Sequence, residues 1–197
     1  VSGGAMERLR QAIMEKGHGI GNDIVQVGSF LNHGLDTGLL FEMGAAIAGH
    51  FRHAHPDLIM TVEASGIALA ITTAHALDNL PVLFCKKSTA RNQDEALYTT
   101  QVVSYTRGAS YQMRCARDLL PKDKRVLIVD DFLADGQAIQ GMLDLVRQAG
   151  ATAVGAAVAI EKGFQPGGQR LRAQGLEVLS LSIVRQIKDG KLLLSED

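Results

Sequence analysis

The chain has 197 residues, an apolar fraction of 46% and a formal net charge of -1 at pH 7. That length suits one domain, or one domain with a small flap, and the composition lies far from the low-hydrophobicity, high-charge regime of disorder. Near-neutral charge argues against a broad nucleic-acid or membrane footprint, and no Trp with only 3 Tyr supplies a poor stacking platform for single strands.

Val1 to Ala5 read as a tag remnant ahead of Met6. Met6, Leu9, Ile13 and Met14 then recur at helical spacing to Lys16, and Gly17 and Gly19 stop the pattern. Residues 24–31 read as a short extended segment. Asp36 can cap a second helix running to about Phe51. From there the rhythm is strand, turn, helix. Apolar strands are predicted at 58–62, 81–85, 125–129, 153–160 and 176–184, with helices at 67–77, 137–149 and 170–174. Continuous apolar strands alternating with helices imply an α/β fold whose mostly parallel sheet is covered on both faces. The polar stretch from Lys86 to about Gln112 breaks this rhythm and reads as a long irregular segment of the kind that often forms a lid.

Cys85 and Cys115 form no CxxC or zinc-ligand pattern, and Cys85 in PVLFC reads as a buried thiol. No signal peptide and no apolar run long enough to span a bilayer is seen, so a cytoplasmic protein without membrane or nucleic-acid partners is expected.

The informative stretch is RVLIVDDFLADGQAIQGMLDLVRQAGA at 125–151. A buried strand delivers Asp130 and Asp131 to its carboxyl end, the edge where open α/β sheets bind ligands. A short turn with Gly136 leads into a helix whose first amides lack internal partners and carry partial positive charge. The amides of Ala134, Asp135, Gly136, Gln137 and Ala138 can therefore hold a phosphate, with the carboxylates one ribose-length away. Solvated aspartates at an ordinary turn, or the paired acids of a magnesium-binding receiver domain, fit this stretch alone about as well.

VLIVDDFLADGQA at 126–138 resembles the phosphoribosyl pyrophosphate (PRPP) motif of type I phosphoribosyltransferases. SFLNH at 29–33, VEASGIA at 62–68 and EKGFQPG at 161–167 are similar to the xanthine branch of that family, in the same order, so the likeness covers nearly the whole chain from Met6. The resemblance implies the type I fold, a hood built from the N-terminal segment and the C-terminal part, and a flexible lid at about 88–108. It implies that Asp130 and Asp131 hold the ribose hydroxyls and that 134–138 hold the 5-phosphate. It places pyrophosphate at Ala64, Ser65 and Gly66, where Ser65 can also cap the following helix. Lys86 and Lys87 end a strand at the same edge, although a lysine pair is more often a solvated surface feature. Lys162 is implied at the purine; an ammonium only donates, which favours an oxo group over the amine of adenine. Val25 and Asn32 match base-contacting positions, and Phe164 either stacks on the base or fills the core.

Two departures stand out. Asp135 occupies a position where the xanthine branch commonly has Asn, and a carboxylate there must turn outward or cap the next helix to coexist with a phosphate. Ala134 stands where the hypoxanthine-guanine branch has an aspartate, so no general base is named. The resemblance implies transfer of the phosphoribosyl group from PRPP to xanthine, with Mg²⁺ carried mainly by PRPP, and a homodimer. Guanine or hypoxanthine as the base, and a catalytically silent PRPP sensor, are the alternatives. A sensor with a DNA-binding domain fits poorly, because little chain precedes the first matched segment.

Overall fold

The computed structural model describes residues 2–88, 95–104 and 109–195, with backbone only for 2–5, 104 and 109. The elements run α1 (Ser2–Lys16), β1 (His18–Ile20), β2 (Ile24–Gln26), α2 (Thr37–Phe51), β3 (Leu58–Val62), α3 (Gly66–Ala76), β4 (Val82–Ser88), β5 (Leu97–Ser104), β6 (Ala109–Ala116), β7 (Arg125–Leu133), α4 (Gln137–Ala149), β8 (Thr152–Lys162), α5 (Gly167–Ala173), β9 (Val178–Lys188) and β10 (Lys191–Leu194). Among the described residues, β1 and β2 form a small antiparallel ribbon, and eight strands form the main sheet in the order β10-β9-β8-β7-β3-β4-β6-β5. The pairings β3 with β4 and β7, β7 with β8, and β8 with β9 are parallel. The outer pairings are antiparallel.

The sheet is filled on both faces because its central strands alternate their apolar side chains. Leu127 and Val129 of β7 join Ile13, Met43, Ile47, Phe51 and Leu69 under α1, α2 and α3. Val126 and Ile128 point the other way, to Met142, Leu145 and Val146 of α4. Each fully buried side chain of this size stabilises the fold by roughly 1.5–3 kcal/mol relative to exposure. α2 starts as expected: the Asp36 carboxylate accepts from the Leu39 amide at 2.9 Å. α4 spans the predicted residues and closes at Gly150, where Ala151 N–H reaches back to the Val146 carbonyl at 3.1 Å.

Four expectations need correction. Within 24–31 only Ile24–Gln26 is extended; Gly28–Asn32 winds into one wide π-helical turn that buries Phe30 and Leu31. Ser65 makes no side-chain cap, because its backbone is already helical (φ -69°, ψ -27°) where a capping residue is normally extended. The stretch after Lys86 is not irregular throughout: β5 and β6 pair from Leu97↔Ala116 to Ser104↔Ala109. Residues 89–94 and 105–108 of the expected lid lie outside the described residues. Finally, β9 continues to Lys188 and turns into β10, a strand absent from the sequence reading.

The two-faced packing of β7 predicts that Leu127→Ala and Ile128→Ala each cost about 2–5 kcal/mol, while Ile128→Val costs about 1 kcal/mol. Urea unfolding of the three variants checks this; a loss confined to one face would contradict a sheet packed equally on both.

Candidate active site

The direction of the crossovers changes between β3 and β7. The chain leaves β3 for β4 on one side, and leaves β7 for β8 on the other. Loops that depart in opposite directions from neighbouring parallel strands open a crevice beyond their carboxyl ends. Here the two loops are Glu63–Ser65 and Ala134–Gly136. The Glu63–Ala64 peptide is cis. The start of α3 lies against β7: a Cβ on Gly66 would sit 2.6 Å from Asp130 Oδ1.

A cleft of about 460 Å³ occupies this crevice, lined among others by Val25, Asn32, Ser65, Asp131, Ala134 and Lys162. Six expected residues are thus brought together from the ribbon, the π turn and three strand ends. Asn32 protrudes into the cleft because Phe30 and Leu31, each 1% exposed, anchor the turn before it. Ala64 and Ser65 also border a smaller adjoining hollow with Asn32.

Asp130 and Asp131 are buried, and the Asp131 amide donates to Asp130 Oδ1 at 2.9 Å. Burial, and then the charge of Asp131, push the Asp130 carboxyl well above the ordinary carboxylate range; Lys87 opposes the shift. The Tyr111 phenol, on β6, is pushed up to about 12 by burial and by Asp130 and Asp135. Lys87 lies 5.3 Å from the centre of the Tyr111 ring, so an aromatic face on β6 steadies the cation nearest the acids.

The structure separates the two lysines expected to act together. Side chains alternate along β4, and Lys86 lies with Phe84, Leu97 and Arg114 in a groove on the opposite side from Lys87's acidic neighbours. Phe164 packs against the core cluster beneath α1 and α2. Phe132 packs against the same cluster and also lines the cleft, with Lys162 Nζ 6.0 Å from its ring centre. Asp23, Ile24 and Gln165 complete the lining and were missed in the sequence. The signal for Phe132 was its place directly after the acid pair, where the strand runs out into the crevice. Lys162 Nζ donates to the Asp23 carbonyl at 2.7 Å, fixing the ribbon over the end of β8.

The turn before α4 has the form that anion binding needs. Gly136 is left-handed at φ 80°, which turns the chain sharply into the first helical amides. Gln137 and Ala138 begin that helix. Of the two expectations for Asp135, the structure has the capping one: Oδ1 accepts from the Gln137 amide at 3.1 Å, and Oδ2 is buried with no hydrogen-bond partner among the described residues. No group of three or more His, Cys, Asp or Glu placed to hold a metal ion occurs among the described residues.

A phosphoribosyl transferase domain model matches residues 36–172. The xanthine phosphoribosyltransferase of Ruminiclostridium cellulolyticum is 44% identical over 97% of this chain and 100% of its own length. The protein of that name from Clostridioides difficile is 43% identical over 94% of this chain and 97% of its own. Among solved structures, an adenine phosphoribosyl transferase of Trypanosoma brucei superposes with a TM-score of 0.74 at 18% identity, covering 92% of this chain and 81% of that one. The adenine phosphoribosyltransferase of Rhodothermus marinus gives 0.71 at 23%, over 91% and 98%. At such identities the two structures speak for the fold alone. No helix among the described residues is long and apolar enough to cross a membrane.

The buried acid pair carries a prediction about stability. Because the Asp130 carboxyl is raised, the folded chain holds that proton more tightly than the unfolded chain. Its contribution to stability is full below the ordinary carboxylate range and is lost as pH rises through the raised one. Asp130→Asn removes that loss and should melt roughly 2–4 °C higher at neutral pH, the shift that about 1 kcal/mol gives at this size. The gain should vanish on acidification to ordinary carboxylate values. Melting curves at stepped pH check both; a variant less stable at neutral pH would contradict the assignment.

Proposed function

The chain belongs to the phosphoribosyl transferase family, and from that premise we propose that it transfers the 5-phosphoribosyl group from PRPP to xanthine, releasing pyrophosphate and xanthosine 5'-monophosphate. The observation that carries the reading is the single cleft in which Asp131 and Ala134 of the acid-and-loop segment meet Lys162, Asn32 and Val25. The curated relatives that match nearly the whole chain at 41–44% identity bear the name xanthine phosphoribosyltransferase.

In this reading Asp130 and Asp131 accept hydrogen bonds from the ribose hydroxyls. The amides of Ala134, Asp135, Gly136 and Ala138 hold the 5-phosphate at the positive end of α4, while that of Gln137 is taken by Asp135 Oδ1. Ala64, Ser65 and Gly66 face the pyrophosphate with Lys87 beside them; Lys86, on the other side of the sheet, is left out. Lys162 donates to an oxo group of the base, Asn32 pairs with its 2-oxo edge, and Val25 and Phe132 give apolar contact. A purine nitrogen attacks the anomeric carbon as the bond to pyrophosphate breaks, and positive charge develops on the ribose. Asp131 beside the ribose favours that charge, so orientation and electrostatics supply most of the rate. Mg²⁺ would be carried mainly by the substrate's own phosphates, with Asp131 the acid that lines the cleft beside them. Its chemistry is to neutralise the leaving pyrophosphate.

The same reading includes a cytoplasmic setting and a homodimer. Phe41, Ile71, Phe84 and Leu119 are each between 41% and 58% exposed. A groove of about 470 Å³ along β4 and β6 and a hollow of about 310 Å³ between α2 and α3 share Val82. Exposed apolar side chains along these two hollows support self-association. In this reading the N-terminal segment, with its β1–β2 ribbon, and the C-terminal part form the hood.

The test is pyrophosphate release from PRPP and Mg²⁺ with xanthine, guanine, hypoxanthine and adenine offered separately. Release with xanthine well above the others is expected, and Asp131→Asn should lower it about 100-fold. PRPP binding without release for any base would leave a sensor. Asp135→Asn keeps an acceptor for the Gln137 amide and removes the charge, so the KM for PRPP should stay within about threefold of wild type. An improvement beyond about tenfold would show that the carboxylate opposes the phosphate.

A further inference from the structure

Behind the phosphate loop lies an ion pair, its acid buried and its arginine reaching the surface, that the proposed chemistry does not use. Glu161, 5% exposed at the end of β8, receives Arg172 of α5 through both carboxylate oxygens, at 2.9 and 2.7 Å. The Ser180 hydroxyl of β9 donates to the same carboxylate. Burial alone would raise the Glu161 carboxyl, but the Arg172 and Ser180 bonds outweigh it and hold the group below its ordinary value. The buried Glu161 carboxylate is therefore charged and satisfied, and at its depth a missing partner is costly.

Two glycines lie between this pair and the loop. Gly168 rests directly on the Glu161 carboxylate, and a Cβ there would overlap Oε1 and approach Arg172 Nη1 to 2.7 Å. Gly167 rests on the loop itself: its amide donates to the Ala134 carbonyl at 3.1 Å, and a Cβ would come within 2.6 Å of the Gly136 nitrogen. Arg170, one turn on, donates to the Asp135 carbonyl at 3.1 Å. The stack runs from β9 through ion pair and glycine turn to the loop, with no slack for any layer to shift alone.

We propose that Arg172 is a positioning residue for the 5-phosphate: fixed by Glu161 and Ser180, it holds the Gly167–Gly168 turn against Ala134–Gly136 and so sets the spacing of the loop amides. The inference rests on the phosphoribosyl reading of that loop. A bidentate guanidinium suits the task because its fork fixes orientation as well as distance. Lys162, adjacent to Glu161, faces the base cleft, so Arg172 is the better probe of the phosphate side.

The experiment uses the full chain and the variants Arg172→Met, Arg172→Lys and Ser180→Ala. Affinity for ribose 5-phosphate is measured by calorimetry, and KM is measured separately for PRPP and for xanthine. Arg172→Met should weaken ribose 5-phosphate binding and raise the KM for PRPP by about tenfold, while the KM for xanthine stays within about twofold. Arg172→Lys, which keeps the charge and loses the fork, should fall between it and wild type. If Arg172→Met does not fold, Arg172→Lys and Ser180→Ala carry the test, each with a PRPP-specific rise of about threefold. A folded variant with unchanged ribose 5-phosphate affinity, or with both KM values raised equally, overturns the inference. A wild-type chain that binds no ribose 5-phosphate overturns the reading of the loop and this inference with it.

Discussion

The structure depends on how far β7 runs. After the exposed Arg125, the four residues Val126–Val129 are an ordinary buried strand, with side chains alternating between two cores. The same strand then continues without a break through Asp130 and Asp131, which remain buried. Burying two adjacent carboxyls is unfavourable, and only a well-packed sheet with neighbours on both sides can hold them there. The parallel partners β3 and β8 do this, and the crossover reversal between β3 and β7 opens the crevice beside the acids. Fold and site therefore share one cause.

Around that strand end the charges are sorted by position. Lys87, on an aromatic face, lies on the β4 side of the acids; Lys162, under the ribbon, closes the β8 side. The helix terminus of α4 supplies partial positive charge without a side chain. Glu161 is adjacent to Lys162, yet its negative charge is spent on Arg172 and does not compete for it.

Much of this was legible in the sequence because the central strands are continuous apolar runs and α4 is bounded by glycines at both ends. The Asp36 cap was legible too. The acid pair and the loop after it were readable as a possible anion site, and the family resemblance raised that to a specific expectation. What was not legible followed from local geometry. The pairing of Lys86 with Lys87 failed because adjacent residues of a strand face opposite ways. The β5–β6 hairpin was hidden because its strands mix buried residues such as Val102 and Met113 with polar ones, leaving no apolar run. β10 did have a signal: Asp189 and Gly190, both at positive φ, form the tight turn that such a dipeptide favours between strands. Phe132 had its signal in its place directly after the acid pair, whereas Phe164 lies beyond Gly163, past the end of β8.

The bond from Lys162 to the Asp23 carbonyl has one further consequence. On the proposed reading, a base with an oxo group offers this ammonium the same kind of oxygen that the ribbon already gives it. Recognition then becomes a swap of one carbonyl for another, and little dehydration of a bare cation is needed. A base presenting an amine has nothing to trade, so it would leave the lysine with its own backbone and the ribbon shut. Selectivity in such a site is written into the resting contacts of the protein, before any base arrives.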